Sequence, residues 1–194
     1  MSDRPHAGDE VGANCRVISV HIEQLSQLFD SLDPSPFHKR DLDRDAAEYI
    51  VASAQDLPHR APLGLVLHVD KPAGWQDEGR VVGDAVRDYF AREAVYVRRR
   101  LRRLLRQGWR SLAIGLVFLA VVASAVTYIG QVSSGPIATV LRESLLIGGW
   151  VAMWRPLEVF LYDWWPIAGE LRLQERLSRM AVRIEYMKTP SSEG

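Results

Sequence analysis

RRRLRRLLRQGWRSLAIGLVFLAVVASAVTYIG, residues Arg98 to Gly130, joins two opposite chemistries without a break. Its first thirteen residues hold seven arginines, and the next twenty hold no charged side chain. The uncharged run continues to Leu141. At about 1.5 Å rise per residue, about 20 apolar residues cross the hydrocarbon core of a bilayer, so Ser111 to Gly130 is expected to be a transmembrane helix.

Working outward, Gln131-Val132-Ser133-Ser134-Gly135-Pro136 is rich in turn-formers and has no Lys or Arg, and a second apolar segment runs from Ile137 to Trp154. Two helices and a short turn make a hairpin. Basic residues collect on the cytoplasmic side of membrane helices. Here Arg98 to Arg110 precede the first helix, and Arg155, Arg172, Arg176, Arg179, Arg183 and Lys188 follow the second. Both termini are therefore expected in the cytoplasm. Trp109 and Trp154 fall at the two cytoplasmic helix ends, with Tyr162, Trp164 and Trp165 close behind, as suits rings held at headgroup level. Arg98, Arg99, Arg102, Arg103, Arg106 and Arg110 are the residues expected to meet anionic headgroups, unless they only fix the direction of insertion.

Arg142 and Glu143 interrupt the second helix near its start. They either snorkel to the outer interface or make polar contacts inside an oligomer or a permeation path. Residues at i and i+1 do not face each other on a helix, so each needs its own partner or water. Small residues four apart let helices approach closely in lipid, and Ala120 with Ser124 and Gly148 with Ala152 are the two such pairs chosen as packing candidates.

Outside the hairpin the pattern changes to period two. Ile18, Val20 and Ile22 alternate with Ser19 and His21; Leu63, Leu65, Leu67 and Val69 alternate with Gly64, Val66 and His68; and Val182, Ile184 and Tyr186 alternate with Arg183, Glu185 and Met187. These are three strands. Between the first two lie a helix expected from Glu23 to Leu32, a proline-bounded loop from Asp33 to Phe37, and a helix from Asp43 to Asp56 that starts on carboxylates and ends before Pro58. From Gly79 onward Val82, Val86, Phe90, Val97, Leu101 and Leu104 keep helical spacing up to the apolar segment, so one long helix is expected there.

The fold class that follows is a small mixed α/β or α+β cytoplasmic domain, about three strands plus helices, with a two-helix transmembrane hairpin inserted into it. Its expected parts are a disordered N-terminus (1–14), the domain ending in a basic amphipathic helix (15–110), the first transmembrane helix (111–130), a periplasmic turn (131–136) and the second helix (137–154). An interfacial helix with the completing strand (155–188) and a disordered tail (189–194) finish the chain.

Equal numbers of basic and acidic residues, 24 of each, hide this segregation of charge. The N-terminus MSDRPHAGDEVGAN has no apolar core of a secretory signal, so the first apolar helix is expected to be its own insertion signal. Cys15 is the sole cysteine, which excludes an internal disulfide and a multi-cysteine metal site. Asp41-Leu42-Asp43-Arg44-Asp45 has the opening spacing of a calcium loop, but Ala46 and Ala52 stand where glycine and glutamate are required, so it reads as a helix N-terminus. No phosphate-binding glycine loop, dinucleotide fingerprint or nucleophile elbow is present. No cofactor and no nucleic-acid partner are expected. His21 and His68 could meet if their strands are neighbours, and one residue of register decides it.

The stretches Leu32 to Phe37 with Arg40 to Asp43, and Gly149 to Glu158 (GWVAMWRPLE), resemble segments of an uncharacterised family of bacterial membrane proteins. The resemblance implies an inner-membrane setting and brings no activity, cofactor or site residue. Three functions compete. The leading one is a non-enzymatic integral inner-membrane protein whose anchored domain binds a partner or assembles with copies of itself. The second is a small oligomeric channel or effector using the second helix, and the third a membrane-surface enzyme around His21, His68 and nearby carboxylates.

Overall fold

A computed structural model describes residues 6–29, 41–58, 61–71, 74, 77–132 and 135–187. Its strands are β1 (His6–Gly8), β2 (Arg16–Gln24), β3 (Leu63–Lys71) and β4 (Ala181–Tyr186), and its helices are α1 (Arg44–Gln55), α2 (Glu78–Val132), α3 (Pro136–Glu158) and α4 (Trp164–Leu177). The chain divides into two compact units, residues 1–96 with 171–194, and residues 97–170.

The first unit is a four-stranded mixed sheet with helices, in the order β1-β4-β3-β2. The strands β2, β3 and β4 are parallel, and β1 runs antiparallel to β4. Parallel neighbours need a crossover, and the one between β3 and β4 is the whole of residues 72–180. Alternation decides the faces. Ile18, Val20, Leu65, Leu67, Val69, Val182 and Ile184 are buried in one core with Ala47 and Ile50 of α1, Val82, Val86 and Phe90 of α2, and Leu177 of α4. On β3 the opposite face is covered too, since Gly64 and Val66 are buried. A Cβ at Gly64 would lie 2.7 Å from a methyl of Val11, so the N-terminal segment crosses there. α1 begins as its sequence suggests, with Asp43 accepting from the backbone N–H of Asp45 (3.0 Å) and Ala46 (3.2 Å).

Two expectations are corrected. Residues 6–14 are not a disordered end: β1 pairs with β4, the Asp9 N–H donates to the Val182 carbonyl (2.9 Å), and the Asp9 carboxylate accepts from the Val182 N–H (3.2 Å) and Arg87 (2.5 Å). Gly8 has φ +103 and a Cβ there would meet the Val182 carbonyl at 2.5 Å, so this crossing needs glycine. The helix expected from Glu23 to Leu32 is also absent in its described part. β2 continues to Gln24, a single 3-10 turn spans Leu25–Leu28, and Phe29 bridges to Leu42. Leu25, Leu28 and Phe29 are buried nonetheless. The loop from Asp33 to Phe37 lies outside the described residues.

The second unit contains residues 97–132 of α2, all of α3, a π-helical turn (Val159–Asp163) and the start of α4. α2 is one helix of 55 residues. α3 does not stop at Trp154 but reaches Glu158, where Pro156 cannot donate a helical hydrogen bond and the wider turn follows. α2, and the continuous helical run Pro136–Leu177 that begins with α3, are long and apolar enough to cross a membrane, and only 17% and 11% of their most apolar stretches are buried.

Candidate functional site

Antiparallel packing of α2 on α3 proceeds through glycines. A Cβ at Gly149 would lie 3.2 Å from Leu119 and 3.4 Å from Val122; at Gly115, 2.9 Å from Met153; at Gly108, 2.8 Å from Val159. The small-residue pairs picked from sequence are elsewhere. Ala120 and Ser124 are exposed, with the Ser124 hydroxyl donating back to the Ala120 carbonyl at 2.8 Å, and nothing lies within 4 Å of a Cβ at Gly148. Only Ala152 reaches the seam, its carbonyl 3.6 Å from the same point at Gly115. Rotation of a helix about its axis decides which small residues meet, and spacing alone leaves that angle open.

Arg142 and Glu143 have different surroundings. The Arg142 guanidinium lies against the last turns of α2, 3.4 Å from a Cβ built on Gly130. That is the negative end of the α2 dipole, which favours a cation. Glu143 is exposed and has no hydrogen-bond or ion-pair partner among the described residues. At the other end of α3, Arg155 pairs with Glu158 (2.9 Å) and Asp163 (3.5 Å), a cluster the hydropathy pattern alone does not reveal.

The arginines that precede the apolar part of α2 fall into two classes. Arg100 is 3.6 Å from Glu170. Arg99, Arg102, Arg103, Arg106 and Arg110 have no anionic partner among the described residues. Arg103, Arg106, Gln107, Arg110, Ser111 and Ile114 line a groove of about 440 Å³.

In the first unit, the sheet face opposite the main core carries a row of titratable side chains. His21 pairs in register with His68, His68 with Glu185, and Glu185 with His6, so one row crosses all four strands. The His21 and His68 rings stack with centroids 5.7 Å apart. His21 Nε2 is 3.7 Å from Asp70 Oδ1, His68 Nδ1 is 3.7 Å from Glu185 Oε2, and Arg183 Nε is 3.6 Å from the other oxygen of Glu185. These separations exceed hydrogen-bond length, so the row is a set of charge contacts in partly exposed surroundings. Among the described residues no group of three or more His, Cys, Asp or Glu is placed to hold a metal ion. Period two brought His21 and His68 to this face. The same alternation puts Asp70 beside His68 on β3, whereas Glu185 joined the row only through the register with β4.

On the core side, the Tyr186 hydroxyl donates to the carboxylate of Glu78 at the start of α2. Burial, with the hydrogen bond and charge of Glu78, pushes the Tyr186 phenol well above its ordinary value.

No family model matches the chain, and no curated protein or solved structure resembles it at a significant level.

Proposed function

We propose that this chain is an integral, two-pass inner-membrane protein in which α2 and α3 form the transmembrane hairpin and the sheet unit is a cytoplasmic, non-enzymatic interaction or assembly domain. One observation carries the membrane reading: beyond Arg110, most large apolar side chains of α2, and most of those of α3, point outward. Ile114, Val117 and Ile147 are 70%, 66% and 65% exposed. Burying a side chain of this size is worth about 1.5–3 kcal/mol, so a run of such residues facing water is costly, whereas the same face in lipid is matched. A core helix of a soluble protein would be mostly buried, and a signal sequence would stand near residue 1.

The ends of α3 support the same reading. Its charge-free stretch, Ser144 to Trp154, is 11 residues, or about 16 Å, against about 30 Å of hydrocarbon. Spanning therefore depends on sheltering the charges that flank it. Arg142 rests on α2 at Gly130 and Arg155 pairs with Glu158 and Asp163, while Glu143 has no partner among the described residues. Arginines before the apolar part of α2 and at and beyond the end of α3, with none in the turn, orient both termini to the cytoplasm. The bacterial setting rests on the resemblance of Gly149 to Glu158 to bacterial membrane proteins.

The test is topology. The protein should stay with membranes in alkaline carbonate, reporters fused before Met1 and after Gly194 should report cytoplasm, and a protease site at Ser133-Ser134 should be cut only from the opposite side. A protein released by carbonate, or a terminus reporting periplasm, overturns the proposal. An activity abolished by His68→Ala in folded protein would overturn its non-enzymatic part.

Glu143 favours a second reading, a small oligomer or channel in which its carboxylate meets another copy or lines a path. Glu143→Leu should then lower oligomer mass in nanodiscs or ion flux in liposomes. Unchanged assembly and flux retire that reading.

A further inference from the structure

We infer that the groove formed by Arg103, Arg106, Gln107, Arg110, Ser111 and Ile114 on α2 is a binding site for one anionic glycerophospholipid. The inference rests on the membrane reading and adds to it a defined ligand at a defined place.

Helical geometry makes the site. At about 100° per residue, Arg99, Arg103, Arg106 and Arg110 fall within about 60° of one another around the axis. They follow one another at i+4, i+3 and i+4, the spacings at which like charges repel. Several other arginines are matched within the protein, Arg44 by Glu48, Arg87 by Asp9 and Asp84, Arg92 by Asp41, Arg100 by Glu170 and Arg155 by Glu158, and those without a partner are not stacked four deep on one helix face. The stripe has no such partner among the described residues. Its counter-charge comes from outside the chain.

The same stripe states what kind of anion. Guanidinium groups take phosphate oxygens in pairs of parallel hydrogen bonds, so three of them around one groove suit a phosphodiester. Gln107 and Ser111, four residues apart, add an amide and a hydroxyl for the glycerol and ester oxygens of a headgroup. The groove then runs onto Ile114, and Val117 continues its line, both exposed and apolar. A free phosphate has no use for that end; an acyl chain does. The volume, about 440 Å³, is in the range of about 300–1,000 Å³ that small-ligand sites occupy.

The experiment uses the full chain in detergent, with native mass spectrometry read against added phosphatidylglycerol, phosphatidylcholine or inorganic phosphate. One phosphatidylglycerol should be retained per chain, about tenfold or more in preference to phosphatidylcholine, and millimolar inorganic phosphate should leave it bound. The double variant Arg106→Gln with Arg110→Gln should lower that retention about tenfold. The pair Arg98→Gln with Arg102→Gln removes the same charge from the flank of the stripe and should change retention less than about twofold. Equal loss in both pairs means diffuse attraction and overturns the site; displacement by inorganic phosphate overturns the lipid assignment. Carbonate extraction of the same variants separates this failure from failure of the membrane reading, because a protein that stays in the membrane without selective lipid retention refutes only the site.

Discussion

The two units use the same apolar residue types in opposite places. In the sheet unit Leu65, Leu67, Val69 and Phe90 are 0% exposed, whereas in the helical unit Ile114, Val117, Ile147 and Val151 face outward and Gly108, Gly115 and Gly149 take the close contacts. The hydrophobic effect organises the first, because leucines gain by leaving water. In the second the helices meet at small residues, where backbones come near, which is the packing expected of helices in the membrane proposed for them. The contrast is the one the proposed membrane setting requires, and it can be attacked from either side.

Removing β4 should have the largest effect. It stands between β1 and β3, so truncation at Ala181 strips two sheet neighbours and uncovers the core at once. Loss of Val182 and Ile184 alone removes about 3–6 kcal/mol of burial, enough to unfold a marginal unit. Limited proteolysis should then cut between Arg16 and Val69 while the apolar helices stay protected in detergent. Unchanged resistance in that region would show that the sheet stands without its third parallel strand.

A charge on the exposed helical face comes next. Val121 is 61% exposed near the middle of the apolar part of α2. For a surface in water Val121→Asp is worth no more than about 0.5 kcal/mol, but in a bilayer centre it costs about 2.5–3.5 kcal/mol. Insertion efficiency measured in membranes should fall accordingly. A variant that inserts and behaves as the parent would place this face in water and dissolve the comparison.

Adjacent glycines give a finer test. Gly149→Leu drives a side chain into Leu119 and Val122 and should weaken the helix pair by about 1–3 kcal/mol, whereas Gly148→Leu meets open space and should change it by less than about 0.5 kcal/mol. Thermal unfolding in detergent reads both. Equal losses would mean that the two helices pack at a different rotation.

What was legible in the sequence follows the same division. Alternation at Ile18, Val20 and Ile22, and again at Leu63 to Val69 and Val182 to Tyr186, located three strands, because a half-buried strand must repeat at two. The charge-free run after Arg110 located the apolar helices. β1 was not legible: His-Ala-Gly has no pattern, and the strand exists because Asp9 is held by Arg87 and the Val182 backbone. An α-helix is expected from Glu23 to Leu32, yet a strand end and one 3-10 turn bury Leu25 and Leu28 there, since a 3-10 turn also puts residues three apart on one side. In the candidate sites, arginine clustering was legible and the groove was not, because pairing of Arg100 with Glu170 and its absence at Arg103, Arg106 and Arg110 depend on what lies across from the helix.

The smallest effect separates the units by pH. The raised Tyr186 phenol belongs to the sheet unit and lies outside the apolar helices. A folded-state pKa above the unfolded value, about 10 for tyrosine, means that stability is fully present below about pH 10 and is lost as pH climbs through the folded value, since the unfolded chain ionises first. Tyr186→Phe should remove this alkaline slope and, by deleting the hydrogen bond to Glu78, lower stability at neutral pH by about 1 kcal/mol, an ordinary value for a bond that is only partly buried. The sheet signal in circular dichroism should weaken above about pH 10 in the parent before any change in helix content, because among the described residues no side-chain hydrogen bond of this kind joins α2 to α3. If the helices melt together with the sheet, the two units share one cooperative transition and the solvent contrast does not separate them energetically.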